Sequence, residues 1–242
     1  MKYVIVSDIH GNLEALQVVK ARIEAIAPER VICLGDLVGY GASPNECTEI
    51  IRDLADAVVA GNHDWGAVGK TDITYFNAYA RIAITWTADH LKPSNAEYLR
   101  SLDLFYVEAD HFRGVHATPD HPEQWNYIFT YQQALKQFAA FSERICFVGH
   151  SHQPCIFELT DAQTVLINSD AIRLKEACRY IVNVGSVGQP RDGDPRACLC
   201  IYDSSTAEVK LERIEYDVES ARQKILNAGL PPVLANRLLW GE

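Results

Sequence analysis

The chain has 242 residues, of which 48% are hydrophobic and 22% are charged, and this balance is typical of a folded globular protein. Its 32 acidic and 22 basic residues give a formal net charge of −10, so we expect no broad surface for long nucleic acid, whose binding depends on Lys and Arg. No apolar run approaches the roughly 20 residues that a membrane-spanning helix needs, and no membrane partner is expected.

The seven cysteines indicate a reducing compartment. Their number is odd, no Cys-x-x-Cys pair occurs, and several lie in apolar runs such as the one around Cys33. These features are typical of buried thiols and not of a disulfide framework. A strand is predicted within the first few residues, so we expect no signal peptide and a cytoplasmic location.

The first part of the chain predicts three strands joined by helices. The predicted strands cover residues 2–7, 31–34 and 57–60, with helices over 12–27 and near 45–54. The strands are apolar almost throughout, as parallel strands covered on both faces are. Because right-handed crossovers make the strands run the same way, their carboxyl ends share one edge, where ligands bind in open α/β sheets.

The remaining elements predict a second sheet and additional helices. Residues 72–101 predict an inserted helical pair that covers the sheet, and residues 217–242 predict two short C-terminal helices separated near Gly229. Closely spaced strands in the second half indicate antiparallel hairpins and therefore a second sheet. The closely spaced strands are predicted near residues 155–159, 164–167, 180–184, 197–202 and 209–214, after two strands near 112–115 and 145–148. We therefore expect an α/β fold with two sheets, in a single domain over 1–242.

Four aromatic residues alternate with polar residues between the predicted strands near 112–115 and 145–148. The alternation is typical of a strand, and it favours packing of these side chains in the core over a lid that stacks on a base. The four residues are Trp125, Tyr127, Phe129 and Tyr131.

Side chains that can bind metal follow five of the predicted strands. A single Asp-x-His pair at a strand end is also explained by turn or capping preferences, but the recurrence of metal-binding side chains at five strand ends favours a metal site. Mixed carboxylate, imidazole and amide ligands suit Mn, Fe, Zn, Co or Ni better than Mg or Ca. Seven ligands are too many for one ion and suit two ions that share a bridging group. The candidates are Asp8, His10, Asp36, Asn62, His116, His150 and His152.

The order of these motifs resembles that of the calcineurin-like metallophosphoesterases, over nearly the whole chain. The matching motifs are Asp8-x-His10, Gly35-Asp36, Gly61-Asn62-His63-Asp64, His116 and Gly149-His150-x-His152. Segments 35–41 and 183–191 resemble a subgroup of small bacterial and archaeal phosphoesterases. The resemblance implies a four-layer αββα sandwich, in which helices flank two mixed β-sheets.

The resemblance also implies a role for each candidate residue. Asp8, His10 and His152 would bind one ion, and Asn62, His116 and His150 the other, with Asp36 as the bridge. His63 would be the general acid, and Asp64 would either orient His63 or cap the following helix. Tyr40 and Arg191 lie in loops similar to active-site loops of the family, and with Asn62 they are expected to contact substrate.

The implied cofactors are two divalent transition-metal ions, with Mn expected to support activity in vitro. Such a pair lowers the pKa of a bridging water, and the resulting hydroxide attacks phosphorus while His63 protonates the leaving oxygen. The expected function is hydrolysis of a phosphoester of a small molecule or nucleotide.

One departure from the family pattern concerns the substrate. Serine/threonine phosphatases and bis-nucleoside tetraphosphatases carry Asp-Arg-Gly after the Gly-Asp motif, whereas this chain has Gly39-Tyr40-Gly41. The missing arginine argues against both classes and favours a phosphodiester. The alternatives are a phosphomonoesterase, a nuclease and a non-catalytic interaction scaffold on the same fold. The retained ligands and His63 favour the enzyme over the scaffold.

Overall fold

Residues 1–108, 111–161 and 163–242, which the computed structural model describes, form two mixed six-stranded sheets flanked by helices. In chain order the strands are β1 (Lys2–Val6), β2 (Arg30–Cys33), β3 (Ala57–Val58), β4 (Phe105–Glu108), β5 (Phe112–Val115), β6 (Ile145–Val148), β7 (Cys155–Leu159), β8 (Thr164–Ile167), β9 (Ala171–Arg173), β10 (Arg179–Asn183), β11 (Ala197–Asp203) and β12 (Glu208–Ile214). The helices are α1 (Leu13–Ile26), α2 (Pro44–Leu54), α3 (Asn62–Ala67), α4 (Ala78–His90), α5 (Pro93–Ser101), α6 (Tyr131–Gln137), α7 (Val218–Asn227) and α8 (Pro232–Asn236).

The two sheets place the carboxyl ends of their parallel strands near one another. The first sheet has the order β3-β2-β1-β11-β12-β9, and the second has the order β4-β5-β6-β10-β7-β8. As predicted, β1, β2 and β3 run parallel. In the second sheet β5 is parallel to β6, and β10 is parallel to β6 on its other side.

Both faces of β1 are buried, one against the other sheet and one against helices. This explains the four layers of helices, sheet, sheet and helices. Tyr3 and Ile5 pack in the cluster between the sheets, together with Phe112 and Phe147 of the second sheet. Val4 and Val6 point the other way and pack in the cluster that contains α1 and α2. Because successive side chains of a strand alternate between faces, a strand covered on both sides must be apolar throughout. On the far face of the second sheet, α6 packs against β7 and β8.

The position of the β11–β12 hairpin corrects the prediction. The short spacing led us to expect both strands in the second sheet, but β11 pairs with β1 in the first sheet, antiparallel to it. Cys198 and Cys200 face the cluster between the sheets, whereas Leu199 faces the α1 side. A hairpin spacing therefore indicates which strands pair with each other, but not which sheet they join.

The strand predicted around residues 125–131 is also wrong. Residues 125–130 form no strand, and α6 begins at Tyr131. Thr130 Oγ1 accepts a hydrogen bond from the Gln133 N–H at 3.3 Å, and Gln133 Oε1 accepts one from the Thr130 N–H at 3.0 Å. This capping box starts a helix. Tyr127 and Phe129 are 44% and 51% exposed, so the expected packing in the core is wrong as well.

The helices predicted at residues 72–101 and in the C-terminal segment are present. α4 and α5 occupy the first stretch and pack against α2 and α3, while α7 and α8 pack against each other in the second. No helix of the described segments is long and apolar enough to span a membrane. That the whole chain forms one domain stays a prediction.

Candidate metal centre and active site

All seven predicted metal ligands come together in the interior of the protein. Each lies just beyond a strand or at the start of α3, and none is more than 7% exposed. The first sheet contributes the ligands after β1 and β2, and the second sheet those after β5 and β6. The edge predicted from the direction of the parallel strands is thus where the polar side chains meet.

The candidate ligands form two groups that share one carboxylate. Asp8, His10, Asp36 and His152 offer atoms within 4.8 Å of one another, and so do Asp36, His116 and His150. Asp36 Oδ2 lies 3.5 Å from His10 Nε2 and 3.3 Å from His116 Nε2, so a single oxygen is near both groups. Asn62 Oδ1 lies 3.2 Å from His116 Nε2, beside the second group.

A backbone carbonyl orients each of the four ligand histidines. A carbonyl oxygen can only accept a hydrogen bond, so the ring nitrogen facing it must carry the proton and the other nitrogen presents its lone pair. The contacts are His10 Nδ1 with Val38 O (3.1 Å), His116 Nδ1 with Leu34 O (2.7 Å), His152 Nδ1 with Gln189 O (2.5 Å) and His150 Nε2 with Trp125 O (2.9 Å).

The remaining ring nitrogens face each other in pairs, one pair in each group. His10 Nε2 lies 3.0 Å from His152 Nε2, and His116 Nε2 lies 3.2 Å from His150 Nδ1. In the neutral tautomers set by the carbonyls, His10 and His152 bring two lone pairs together, which is repulsive unless a cation binds both. His116 has a raised pKa, so its Nε2 can instead donate a proton to His150 Nδ1. The donor set therefore fits divalent metal ions.

The buried carboxylates of the site also favour positive charge beside them. Asp8 Oδ1 is buried and has no hydrogen-bond donor within the described segments. Burial alone would raise the pKa of Asp8 and of Asp36, but the surrounding histidines lower both. Burial alone would lower the pKa of His116, yet the two carboxylates raise it to about 9. Carboxylates held in this way are suited to binding divalent metal ions.

Five of the seven ligands adopt a left-handed backbone conformation that non-glycine residues rarely occupy. Such a conformation costs about 1–3 kcal/mol per residue and is found mainly at functional sites. Hydrogen bonds of the neighbouring loops hold it, such as the one from the His10 N–H to the Asp36 carbonyl at 2.9 Å. The φ angles are 55° for Asp8, 50° for His10, 53° for Asp36, 65° for His150 and 59° for His152.

His63 differs from the four ligand histidines. It lies in the first turn of α3, is buried, and its Nδ1 has no hydrogen-bond partner in the described part of the chain. The His63 ring lies 4.9 Å from the His10 ring and 4.4 Å from the Tyr40 ring. Burial lowers the pKa of His63 to about 4, while the Asp36 carboxylate opposes this effect. The backbone N–H of His63 donates to Asp36 Oδ1 at 2.8 Å and leaves Oδ2 for the ligand groups.

Asp64 holds the backbone around Asp36. Its Oδ2 accepts the N–H groups of Asp36 at 2.8 Å and Gly61 at 3.0 Å, and its Oδ1 accepts that of Leu37 at 2.8 Å. The bond to Gly61 caps α3. Two roles were considered for Asp64, orientation of His63 and capping of the helix. Its contacts in the described residues match the helix cap, and they also hold the loop that carries Asp36. None of them joins Asp64 to the His63 ring.

A cleft of about 740 Å³ leads to the two groups of ligands. Asn62, His63 and His150 line its inner end. The lining residues of the acidic or basic types are Lys70, Asp72 and Glu123. Sequence reasoning missed most of this lining; Trp125 and Tyr127, for example, were assigned to a core strand. The aromatic lining residues are Tyr40, Trp65, Tyr75, Phe76, Trp125 and Tyr127.

The two loop residues expected to contact substrate lie beside the site. Tyr40 lines the cleft, and its ring lies 4.7 Å from the ring of His10. Arg191 donates its backbone N–H to the His152 carbonyl at 3.2 Å, and its guanidinium lies 5.5 Å from the centroid of the Tyr40 ring. Its side chain also donates to Gln189 Oε1 at 2.7 Å. These contacts bring a positive charge close to the first ligand group.

Residues 1–207 match the model of the calcineurin-like phosphoesterase superfamily domain. The chain belongs to this superfamily. An uncharacterized protein of Methanocaldococcus jannaschii is 43% identical over 241 residues, covering 98% of this chain and 97% of that protein. The crystal structure of a metallophosphoesterase from Sphaerobacter thermophilus is 38% identical and superimposes with a TM-score of 0.87, covering 100% of this chain and 99% of that one.

A third similar protein shows the fold alone. The crystal structure of a hypothetical protein from Pyrococcus horikoshii OT3 has a TM-score of 0.82 at 21% identity, and covers 100% of this chain and 98% of that one. Membership of the superfamily and the buried Asp and His cluster support a metal-dependent hydrolase of phosphoric esters.

Proposed function

We propose that the protein is a phosphodiesterase that acts on a small molecule or nucleotide with two divalent transition-metal ions, Mn²⁺ supporting activity in vitro. The observation that carries the proposal is the position of Asp36 Oδ2 within 3.5 Å of ring nitrogens from both ligand groups. When bound, two such ions supply positive charge to the phosphoryl oxygens and lower the pKa of a coordinated water. In this proposal Asp36 is the bridge, and the other ligands divide between the two groups described above.

His63 is the general acid in this proposal. Its ring is near the ligand groups, yet no carbonyl fixes its tautomer in the described part of the chain. Since Nδ1 faces Gly39, Nε2 is the nitrogen that would donate a proton to the departing oxygen. Burial lowers the pKa of His63, but a bound phosphate anion next to the ring favours the protonated form. Asp64 acts indirectly, since its carboxylate positions the loop that carries Asp36.

The charges of the cleft support a diester over a monoester. Lys70 is balanced by Asp72 and Glu123, so these side chains provide no excess of positive charge. A monoester dianion needs more positive charge than a diester monoanion. Arg191 is one cation near the centre, and we propose that it contacts the phosphate together with Asn62, while Tyr40 supports it.

The size of the cleft and the state of the cysteines complete the proposal. A volume of about 740 Å³ lies within the range of cavities that bind small molecules, and it leaves room for both substituents of a diester. All seven cysteines are free, and six of them are buried, as we expect for a protein of the reducing cytoplasm.

The substrate class can be tested with a matched pair of esters. Bis(4-nitrophenyl) phosphate and 4-nitrophenyl phosphate release the same phenolate, and differ in the charge of the phosphate. We expect the Mn-loaded protein to show the higher kcat/KM for the diester. The opposite order with several metals would identify a phosphatase, and no turnover of either ester by a protein with bound metal would favour the scaffold.

The His63→Asn variant tests the general acid. A nitrophenolate leaves without a proton near neutral pH, whereas an alkoxide does not. Proton donation contributes about 10²–10⁴-fold, so the variant should lose such a factor with an alkyl leaving group and little with a nitrophenyl one. Metal content should be unchanged. Equal losses on both esters would assign His63 to phosphate positioning, and loss of metal would make it a ligand.

A further inference from the structure

The walls of the cleft are mainly aromatic. Trp65, at the end of α3, and Trp125, in the loop before α6, meet edge to face with their ring centroids 5.7 Å apart. Tyr127 stacks on the ligand His150 with the ring centroids 4.1 Å apart and an interplanar angle of 22°. The ring of Phe76, on the opposite side, lies 5.3 Å from the His63 ring. An aromatic surface therefore extends outward from both the proposed general acid and a metal ligand.

Tyr75 differs from the other aromatic residues of the cleft because its ring is free. Its side chain is 90% exposed, and no aromatic or cationic partner contacts its ring in the described part of the chain. The other rings are occupied; Tyr127, for example, stacks on Phe129 as well as on His150. Tyr75 is thus the ring in the cleft that is most available for stacking.

The backbone that carries Tyr75 is anchored. It lies in the short 3-10 turn Ile73–Tyr75, where the Asp72 carboxylate accepts the Thr74 N–H at 2.9 Å. The Arg81 guanidinium donates to the Thr74 carbonyl at 3.3 Å, and Ile73 packs against the main cluster beside the first sheet. An aromatic ring that is exposed on an anchored turn loses little conformational freedom when a flat ligand binds to it.

We propose that the substrate carries a nucleobase, and that Tyr75 stacks on this base while the phosphodiester lies at the ligand groups. This inference rests on the proposed function. Bases stack on aromatic side chains whatever their sequence, since every base has a π-face. The polar lining residues Thr71, Asn77 and Gln124 provide donors and acceptors for the edge of a base. A purely aliphatic substituent would use neither the aromatic walls nor these polar groups.

Two diesters with the same leaving group show how much the base contributes to substrate binding. The 4-nitrophenyl ester of adenosine 5′-monophosphate and methyl 4-nitrophenyl phosphate both release nitrophenolate, so they differ in the nucleoside alone. We expect the Mn-loaded protein to prefer the adenosine ester. Since removal of one stacking ring typically weakens binding about 5- to 100-fold, Tyr75→Ala should raise KM for that ester by such a factor, and leave the methyl ester unchanged.

Two further variants serve as controls. Tyr75→Phe keeps the ring and should retain the preference for the adenosine ester. Tyr79→Ala removes a tyrosine of α4 that is 51% exposed and lies outside the cleft, and should change neither ester. An equal effect of Tyr75→Ala on both esters, or a wild-type protein without preference, would overturn the assignment of Tyr75.

Binding of adenosine separates this inference from the proposed function, because adenosine contains no phosphate. Saturation-transfer NMR should detect adenosine on the wild-type protein and a weaker signal on Tyr75→Ala. That result supports the base site even if the protein hydrolyses monoesters in place of diesters. Absence of adenosine binding to the wild type, alongside normal diester hydrolysis, would refute the base site and leave the proposed function intact.

Discussion

Substitution of Gly39 by alanine would test the position of His63 without removing any polar group. Gly39 has a φ angle of +88°, and a β-carbon there would lie 2.3 Å from His63 Nδ1 and 3.0 Å from its Cγ. Carbon and nitrogen atoms in ordinary contact are about 3.5 Å apart, so the imidazole would have to retreat by about 1 Å. The ring is buried against Tyr40 and His10, which limits the directions in which it can move.

The expected losses of activity and of stability follow from the displacement of the His63 ring and from the positive φ angle at residue 39. A displacement of about 1 Å in a group that acts on the substrate can cost about 10²-fold in rate. Alanine in the left-handed region costs about 1–2 kcal/mol of stability in addition. Gly229→Ala is a matched control, because Gly229 has a φ angle of +71° and a β-carbon there would meet no described atom within 4 Å. It reproduces the backbone strain without a clash against His63.

The assay combines elemental analysis, thermal unfolding and turnover of two diesters with nitrophenyl and alkyl leaving groups. Gly39→Ala should bind the same amount of metal as the wild type, and lose about 10²-fold in kcat/KM on the alkyl ester and much less on the nitrophenyl ester. Gly229→Ala should lower the unfolding temperature alone. Full activity of Gly39→Ala on the alkyl ester would refute the role of His63, and similar losses in both glycine variants would attribute the effect to strain.

Two other predictions concern the metal bridge and acid stability. Asp36→Asn should bind well below two metal ions per chain and lose activity, whereas two bound ions with full turnover would contradict the bridge. The hydrogen bond from Arg22 lowers the pKa of Glu212 to about 2, so its stabilisation is complete above about pH 4.5 and is lost as pH falls towards 2. Glu212→Gln should therefore cost about 1 kcal/mol in urea unfolding at pH 7 and progressively less below pH 4.5. Glu24→Gln, at a 63% exposed side chain 3.8 Å from Lys20, should have little effect at either pH, and a cost for Glu212→Gln that does not change with pH would contradict the prediction.

The convergence of the candidate ligands follows from the sequence, because each of them lies just after a predicted strand. An apolar run that ends in Gly-Asp or Asp-x-His identifies both a buried strand and the residue that emerges from its carboxyl end. The parallel arrangement of β1, β2 and β3 then follows from the lengths of the connections, and with it the convergence of Asp8 and Asp36. These inferences need no knowledge of distant contacts.

The parts that could not be predicted depend on distant contacts. The pairing of β11 with β1 joins the two ends of the chain, for example Val4 with Ile201, and nothing in the spacing of the hairpin indicates it. The aromatic lining of the cleft comes from four separate segments, around Tyr40, Trp65, Tyr75 and Trp125. The loop before α6 shows the same alternation of aromatic and polar residues as a strand does. The Thr130-x-x-Gln133 capping box was the local signal that separates them.

The contacts of Asp36 make the proposed bridge and the proposed general acid parts of one rigid unit. The N–H of His63 holds Asp36 Oδ1, and the Asp64 carboxylate, one residue further along α3, holds the N–H of Asp36. A shift of α3 would therefore move the general acid and the bridging oxygen together. Because the left-handed backbone of Asp36 is stabilised by these same bonds, the strain at the bridge is supported by the helix that carries His63. This coupling explains why Gly-Asp and Gly-Asn-His-Asp occur together in the sequence, since each segment needs the other to adopt its conformation.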